Sequence, residues 1–462
     1  MDGLRLVELG AGIGRFTGPL AAKAKSVVAL DFMENLIDQN RTSNAHYGNI
    51  DFRCGDAMEL ALPADSCDVA FSNWLLMYLG DAEVQQLALN MLGWVVVGGH
   101  VFFRESCFRQ SGDKARKNNP THYRNPREYF RIFDGVQQKL PDGRIAHFEL
   151  VLCKSVDTYV RVKQNQNQVV WKWKKVIEEE ATAAASRHFL DTQQYHSTSI
   201  QRYERVFGPG FVSPGGLETH KEFSRLLNLQ PDEQVLDVGC GLCGGAHYMA
   251  RTFGCYVYGI DLSVNMILTA LERAAAAGNG DKVSFEVSDA LKLHSRFPEA
   301  SFDVLVSRDT LLHISDKPAL FKQLYSVLRP GGRLLITDYC KAEAKPSEGF
   351  AAYIQQRGYD LHTLEAYADM LRDAGFDGVA ALDRTEQFKS VLERELAAAE
   401  ADREGFVQQM SQEDYEEVVS SWRGKLDRAV AGEQKWGLFR AFKPQDGRDF
   451  HGAETEGLSG LA

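Results

Sequence analysis

No stretch of eighteen consecutive apolar residues occurs in the 462-residue chain, so no membrane-spanning helix is expected. No basic-then-apolar leader precedes the first strand pattern, which argues against a secretory signal. Cysteine is sparse and irregular, eight residues scattered over both halves. That usage speaks against a disulfide-stapled secreted scaffold and for a reducing, cytoplasmic setting. The one close pair, Cys240-x-x-Cys243, has no second pair to complete a zinc site. It reads more plainly as two small residues in a crowded turn. No His/Cys cluster points to a metal, and none is expected. Positive charge is also short: 52 basic residues face 63 acidic ones, a net −11. This disfavours a nucleic-acid backbone as partner, but not a small phosphorylated substrate held by a few local cations.

Glycine and repetition are what the chain has. Val235–Gly245 reads VLDVGCGLCGG, an apolar strand entering a glycine turn ahead of a helix. Such a turn brings backbone N–H groups and a helix N-terminus close to a ligand. Asp261, in VYGIDLS at the end of the next strand, suits a carboxylate gripping ribose hydroxyls. The same unit stands near the N-terminus, where Glu8, Gly10, Gly12 and Asp31 occupy LVELGAGIG and VVALDF. The parallel continues through Asp56 and Asp289, Asp68 and Asp303, and the Gly-Gly turns of VGGHVFF and PGGRLLI. Six matched stations in one order, at offsets of 229 to 235 residues, mark a duplicated domain.

Alternating strand and helix patterns around each unit predict an α/β architecture of two tandem Rossmann-like domains, each a mostly parallel sheet with helices on both faces. The expected boundaries are 1–160 for the first domain, 161–186 for a solvated linker, 187–444 for the second domain and 445–462 for a disordered tail. The helix Asp81–Trp94 should bury Val84, Leu87, Ala88, Met91 and Leu92. Gly112–Phe133, polar and aromatic, is expected to cap the strands' carboxyl ends, and KWKKVIEEEATAAASRHFL reads as an exposed helix.

Gly239-x-Gly241-x-x-Gly244 also satisfies a dinucleotide fingerprint, a weak signal on its own. The first repeat decides against it, because Arg15 stands where the third dinucleotide glycine would be. Both repeats add a second acid one strand later (Asp56, Asp289), placed to accept from an adenine amino group. S-adenosylmethionine explains every station. Taken singly, each acid could be a helix cap; recurrence in both halves makes the set a site.

The chain resembles the plant-type, two-domain phosphoethanolamine N-methyltransferases. The resemblance runs from Leu6 to Phe442 and rests on FSNWLLMYL, FFRESCFRQSGD, NPTHYRNP, RYERVFGPGFVSPGGLET, SRDTLLHISDKPALF, ITDYC, QQRGYDLH and GEQKWGLF. It implies class I S-adenosylmethionine-dependent methyltransferase domains and three successive transfers, from phosphoethanolamine through its mono- and dimethyl forms to phosphocholine, for phosphatidylcholine synthesis. By motif, Tyr195 and His313 would be the catalytic pair, and Gln194, Tyr203, Tyr339, Tyr353, Arg357, Tyr359 and Lys425 would surround the phosphate. Ser213, Gly239, Asp261, Leu262, Asp289, Ala290 and Arg308 would line the cofactor site. The Tyr-x-x-x-Arg-x-Tyr spacing of Tyr353, Arg357 and Tyr359 recurs as Tyr123, Arg127 and Tyr129, which suggests an anion site in each half.

Differences between the halves temper that symmetry. Tyr78 stands in place of His313, Asn73 and Trp74 in place of Arg308 and Asp309, and Ser106 in place of Tyr339. The first repeat opens on its cofactor strand, without the segment that carries Gln194 and Tyr195 in the second. If the sequence is complete at its N-terminus, rather than truncated, the expectation is a first domain that methylates poorly or not at all, or a non-catalytic binding module beside a second domain performing the later transfers. Another small amine is the alternative substrate, and the chain is expected to be a monomer. Cys243 occupies a turn position usually held by glycine in the family, a strained choice if its φ is positive.

Overall fold

The computed structural model describes residues 2–109, 121–177, 182–277 and 282–445. The chain divides into two compact units, Met1–His196 with Leu262–Ser288, and Ser197–Asp261 with Asp289–Ala462. Residues 446–462 of the expected tail lie outside the described residues, as do residues 112–120 of the expected cap.

In the first unit, β1 (Arg5–Leu9), β2 (Ser26–Asp31), β3 (Ile50–Cys54), β4 (Cys67–Asn73) and β5 (Val95–Ser106) form a parallel sheet in the order β3-β2-β1-β4-β5. Leu6, Val7 and Leu9 on β1 are buried, as a central strand covered on both faces requires. The helix Asp81–Trp94 forms as expected and buries the whole predicted stripe. After β6 (Gln137–Lys139) and β7 (Ile145–Ser155) comes β8 (Gln168–Ile177), antiparallel to β5 on one side and to β7 on the other.

That strand corrects the expected linker. The stretch opening at KWKK is expected to be an exposed helix, but from Trp171 the period is two: Trp171 and Trp173 are buried while Lys172 and Lys174 point away. Lys175 is buried as well, its Nζ donating to Asp65 Oδ1 at 2.9 Å and to the Val95 carbonyl at 2.8 Å. Among the described residues of that stretch, Thr182–Phe189 is α-helical.

In the second unit β9 (Gln234–Val238) and β10 (Tyr256–Asp261) are parallel neighbours. Next along the chain, β11 (Val283–Val287) belongs to the first unit, where it pairs antiparallel with β7. β12 (Phe302–Arg308) and β13 (Leu328–Lys341) extend the second parallel sheet beyond β9. β14 (Asp377–Asp383) and β15 (Gln434–Phe442) close it antiparallel, β15 lying between β13 and β14. The duplication therefore includes the reversed edge, since β8 and β15 are both late strands inserted beside the fifth strand of a repeat. In both units the order reverses beside the first strand, at β1/β4 and β9/β12, which is where open α/β sheets place ligands.

Trp171 stacks on Phe103 at 4.8 Å and tilts against Tyr129 at 5.1 Å between ring centroids. Trp171→Ala should therefore destabilise the first unit by about 3–5 kcal/mol in denaturant unfolding. A loss below ~1 kcal/mol would return 168–177 to the status of a linker.

Candidate active site

The two glycine turns are built alike. Gly239 (φ 76°) and Gly241 (φ 53°) leave β9 in the left-handed region, as Gly10 (φ 70°) and Gly12 (φ 52°) leave β1. Each turn is closed by the acid at the end of the next strand: Gly241 N–H donates to Asp261 Oδ2 at 2.9 Å, and Gly12 N–H to Asp31 Oδ2 at 2.7 Å. The later acids also match, Asp289 accepting from Leu291 N and Asp56 from Met58 N, both at 2.9 Å. Ala290 is buried beside Asp289, and Leu262 is half-buried. A Cβ on Gly239 would stand 2.1 Å from Thr310 Cγ2, and one on Gly244 2.4 Å from the Gly210 carbonyl. At Gly239 and Gly244 the turn is a backbone cradle without room for a side chain, which fits a nucleoside cofactor. Beside it, Val212, Ser213, His220, Asp237, Gly239 and Arg308 line a cleft.

Burial sets the charge in that cleft. It raises Asp237 to about 7, with Asp261 adding to the rise and Arg308 opposing it. Glu8, at the corresponding place, also rises to about 7 through burial, despite accepting from Thr17 Oγ1 at 2.6 Å. Arg308 clamps the loop that carries Ser213, donating to the Pro214 carbonyl at 3.1 Å and Thr219 Oγ1 at 3.0 Å. Cys243 does adopt the left-handed conformation (φ 62°), buried, with its Sγ 3.4 Å from that of Cys240.

The expected phosphate residues of the second unit assemble around Tyr359. Its ring lies 5.2 Å from His313, 5.8 Å from Tyr353 and 6.4 Å from Tyr339. Arg357 donates from Nε to the Tyr359 hydroxyl at 3.3 Å and from Nη2 to the Tyr203 hydroxyl at 3.2 Å. Local sequence explains the arrangement. Ser347 caps the helix Glu348–Arg357, and Gly358 (φ 62°) ends it in a left-handed turn that redirects Tyr359 beside Arg357. Lys425 is buried with Nζ 4.1 Å above the Trp422 ring. Burial lowers it to about 7, with Arg357 adding to the fall. His313 is pushed down to about 3, first by burial and then by the charges of Arg357 and Lys317.

The first repeat does not reproduce this cluster, which corrects the expectation for Tyr123, Arg127 and Tyr129. Residue 128 is glutamate rather than glycine, and Asn125-Pro126 starts a helix with a capping box instead of ending one. Tyr129 is buried between Phe103 and Trp171, Arg127 is paired with Glu272 at 3.1 Å, and Tyr123 is half-buried. The capping signature N-P-R-E was legible and outweighs the matched spacing.

Gln194 and Tyr195 belong to the first unit. Gln194 is buried at the end of the wide turn Leu190–Gln194, and Tyr195 N–H closes the turn on the Leu190 carbonyl at 2.7 Å.

Methyltransferase-domain family models match residues 7–103 and 229–411. Phosphoethanolamine N-methyltransferase 1 of Arabidopsis thaliana is 53% identical over 444 residues, covering 96% of this chain and 89% of the relative. The phosphoethanolamine N-methyltransferase of Plasmodium falciparum is 36% identical over 262 residues, 56% of this chain and 97% of its own. Among solved structures, Haemonchus contortus phosphoethanolamine N-methyltransferase 2, in complex with phosphomonomethylethanolamine and S-adenosylhomocysteine, aligns with a TM-score of 0.79 at 27% identity, over 96% of this chain and 95% of that one. This chain belongs to the phosphoethanolamine N-methyltransferases.

Within this phosphoethanolamine N-methyltransferase, one residue that sequence reasoning passed over stands out. Asp309 is left-handed (φ 51°) and buried, and its Oδ1 accepts from Trp436 Nε1 at 2.7 Å. Arg308 Nη2 is 3.7 Å from its Oδ2, and burial raises the carboxyl's pKa against the lowering by Arg308, Trp436 and the Thr337 side chain. A left-handed backbone and a buried carboxylate beside Arg308 single this residue out. In the first repeat Trp74 holds the same kink (φ 57°), with Arg104 4.5 Å over its ring and its Nε1 bonded to Gln168 at 2.7 Å. The signal was the SRD/SNW mismatch, which sequence reading registered only as a difference between the halves.

Two outcomes test the geometry. Gly239→Ala should weaken S-adenosylhomocysteine binding about tenfold or more by calorimetry, because the new Cβ meets Thr310 in a left-handed backbone. At Gly12, where nothing lies within 4 Å of the added Cβ, alanine incurs only the backbone strain. The second concerns His220, buried and held down to about 3 by burial with Arg308 adding. Below about pH 6.5 the unfolded chain protonates this ring and the folded one does not, so stability falls with pH by up to ~1.4 kcal/mol per unit. Urea unfolding of wild type against His220→Gln should show their difference shifting against the wild type from pH ~7 to ~5. A constant difference would contradict the assignment.

Proposed function

We propose that this enzyme transfers methyl groups from S-adenosylmethionine to phosphoethanolamine and to its mono- and dimethyl forms, giving phosphocholine for phosphatidylcholine synthesis. The observation that carries the reading is the gathering, in one unit, of Arg357, the tyrosines and the imidazole of His313 around Tyr359, with the buried carboxylate of Asp309 acting on Tyr339 and Lys425. The cofactor supplies a methyl group on a sulfonium. The chain's part is to hold a neutral amine in line with it. Asp261, Asp289 and the glycine turn grip the nucleoside, with Ser213, Leu262, Ala290 and Arg308 around it. Arg357 and Lys425 take the phosphate by charge, and the hydroxyls of Tyr203, Tyr339, Tyr353 and Tyr359, with Gln194, take its remaining oxygens.

The amine must lose a proton before it attacks, and alkylamines titrate near ~10. His313 and Tyr195 are the groups we assign to that transfer, with Asp309 accepting from the substrate nitrogen. An imidazole held near 3 is a weak base. A phosphate dianion beside Arg357 cancels one of the charges depressing it, so the substrate itself raises His313 towards working range. As methyl groups replace N–H donors, phosphate anchoring and the tyrosine faces carry more of the binding.

The first repeat supports a second reading, a module that binds cofactor and does not catalyse. Trp74 replaces Asp309, Tyr78 replaces His313 and is exposed, and Arg127 and Tyr129 are engaged elsewhere. A cytoplasmic monomer completes the proposal. No helix among the described residues is long and apolar enough to cross a membrane.

Labelled cofactor with each phosphobase offered separately is the test. Turnover of the methylated forms should exceed that of phosphoethanolamine, and no turnover of any would end the proposal. Arg357→Met should raise KM for the phosphobase about ten- to a hundredfold, the cost of a charge-assisted bond, and leave cofactor affinity unchanged.

A further inference from the structure

Arg127 grips a helix of the other repeat. From the helix Pro126–Asp134 its guanidinium donates to three residues of Val264–Ala277: Nη1 to Asn265 Oδ1 at 3.2 Å, Nη2 to Thr269 Oγ1 at 3.1 Å and Nε to Glu272 Oε1 at 3.1 Å. Asn265 in turn spans the turn that delivers Tyr195. Its Nδ2 donates to the carbonyls of both Asp191 at 3.1 Å and Tyr195 at 3.0 Å. The amide's orientation is fixed by chemistry, since both carbonyls can only accept and the guanidinium can only donate. Asp191 completes the joint, its carboxylate accepting from Ser263 Oγ at 2.5 Å and from the N–H groups of Val264 and Asn265 at 3.2 Å each. The helix that follows Asp261 in the chain is thus capped by the segment carrying Gln194 and Tyr195, and not by its own sequence alone.

We propose that Arg127 and Asn265 are positioning residues for Tyr195. The reasoning is mechanical. Leu190–Gln194 is a wide, i→i+5 turn, an intrinsically poor hydrogen-bonding geometry that needs outside support. Asn265 supplies it by tying the Asp191 and Tyr195 carbonyls to one amide, and Arg127 stops that amide from rotating. The inference rests on reading Tyr195 as a catalytic group.

Full-length Tyr195→Phe, Arg127→Met, Arg127→Lys and Asn265→Asp enzymes would be compared for kcat and KM on the dimethyl phosphobase, for S-adenosylhomocysteine affinity and for thermal melting. Asn265→Asp keeps an acceptor for Arg127 but sets a carboxylate oxygen against two carbonyls, so it probes the Tyr195 tie even if Arg127→Met fails to fold. The expected result is a kcat lowered about ten- to a hundredfold in Arg127→Met and Asn265→Asp, the effect of a sub-ångström to ångström misplacement, with cofactor affinity unchanged and part of kcat restored in Arg127→Lys. Full kcat in folded Asn265→Asp, or losses that only track the folded fraction, would overturn the relay while leaving Tyr195 catalytic. Full kcat in Tyr195→Phe would overturn the relay and the catalytic role of Tyr195 together.

Discussion

A single hydrogen bond organises each half of this protein: the carboxylate at the end of the second strand receives the N–H of the second turn glycine. The bond aligns two adjacent strand ends, holds the glycine turn open in the left-handed region, and leaves a carboxylate poised beside a helix N-terminus. Everything that distinguishes the halves hangs on this shared frame. The frame tolerates little alteration, as the positions of Thr310 and the Gly210 carbonyl against the turn show. The residues one strand further on vary freely in chemistry while keeping the backbone.

That freedom is visible at Asp309 and Trp74, which share a strained backbone and little else. Strain of this kind persists where the surroundings over-determine it. Here the adjacent strand does so, since each residue's N–H bonds a carbonyl one strand over, Asp309 to Thr337 at 2.7 Å and Trp74 to Arg104 at 2.9 Å. In one repeat the kink presents a carboxylate; in the other it seats an indole under an arginine. The two halves therefore share the glycine-turn frame and the kink without sharing the side-chain chemistry placed on it.

The legible part of this fold was periodic or punctuated. Buried apolar strands, glycine turns and the stripe of Asp81–Trp94 announced themselves, and the duplication made weak signals strong. What misled was a short motif taken out of its local context. Tyr-x-x-x-Arg-x-Tyr reads identically in both repeats, but Gly358 ends one helix where Asn125-Pro126 starts the other. WKWK carried a period of two in plain view, obscured by the charge of its lysines. Asp191 could not have been found from sequence, because its role as a cap depends on a chain reversal of more than seventy residues.

In the proposed function Lys425 gives the anion site a further property. With its ammonium brought down to about 7 by burial and neighbouring cations, this lysine is poised between neutral and charged near physiological pH. A phosphate monoester has its own second ionisation near ~6, so substrate too arrives as a mixture of protonation states. Placing a dianion beside Lys425 favours the charged amine, which takes a proton from solvent as the ligand enters. In the proposed function substrate loading would thereby be linked to proton uptake, and apparent affinity would depend on pH through the protein as well as through the ligand.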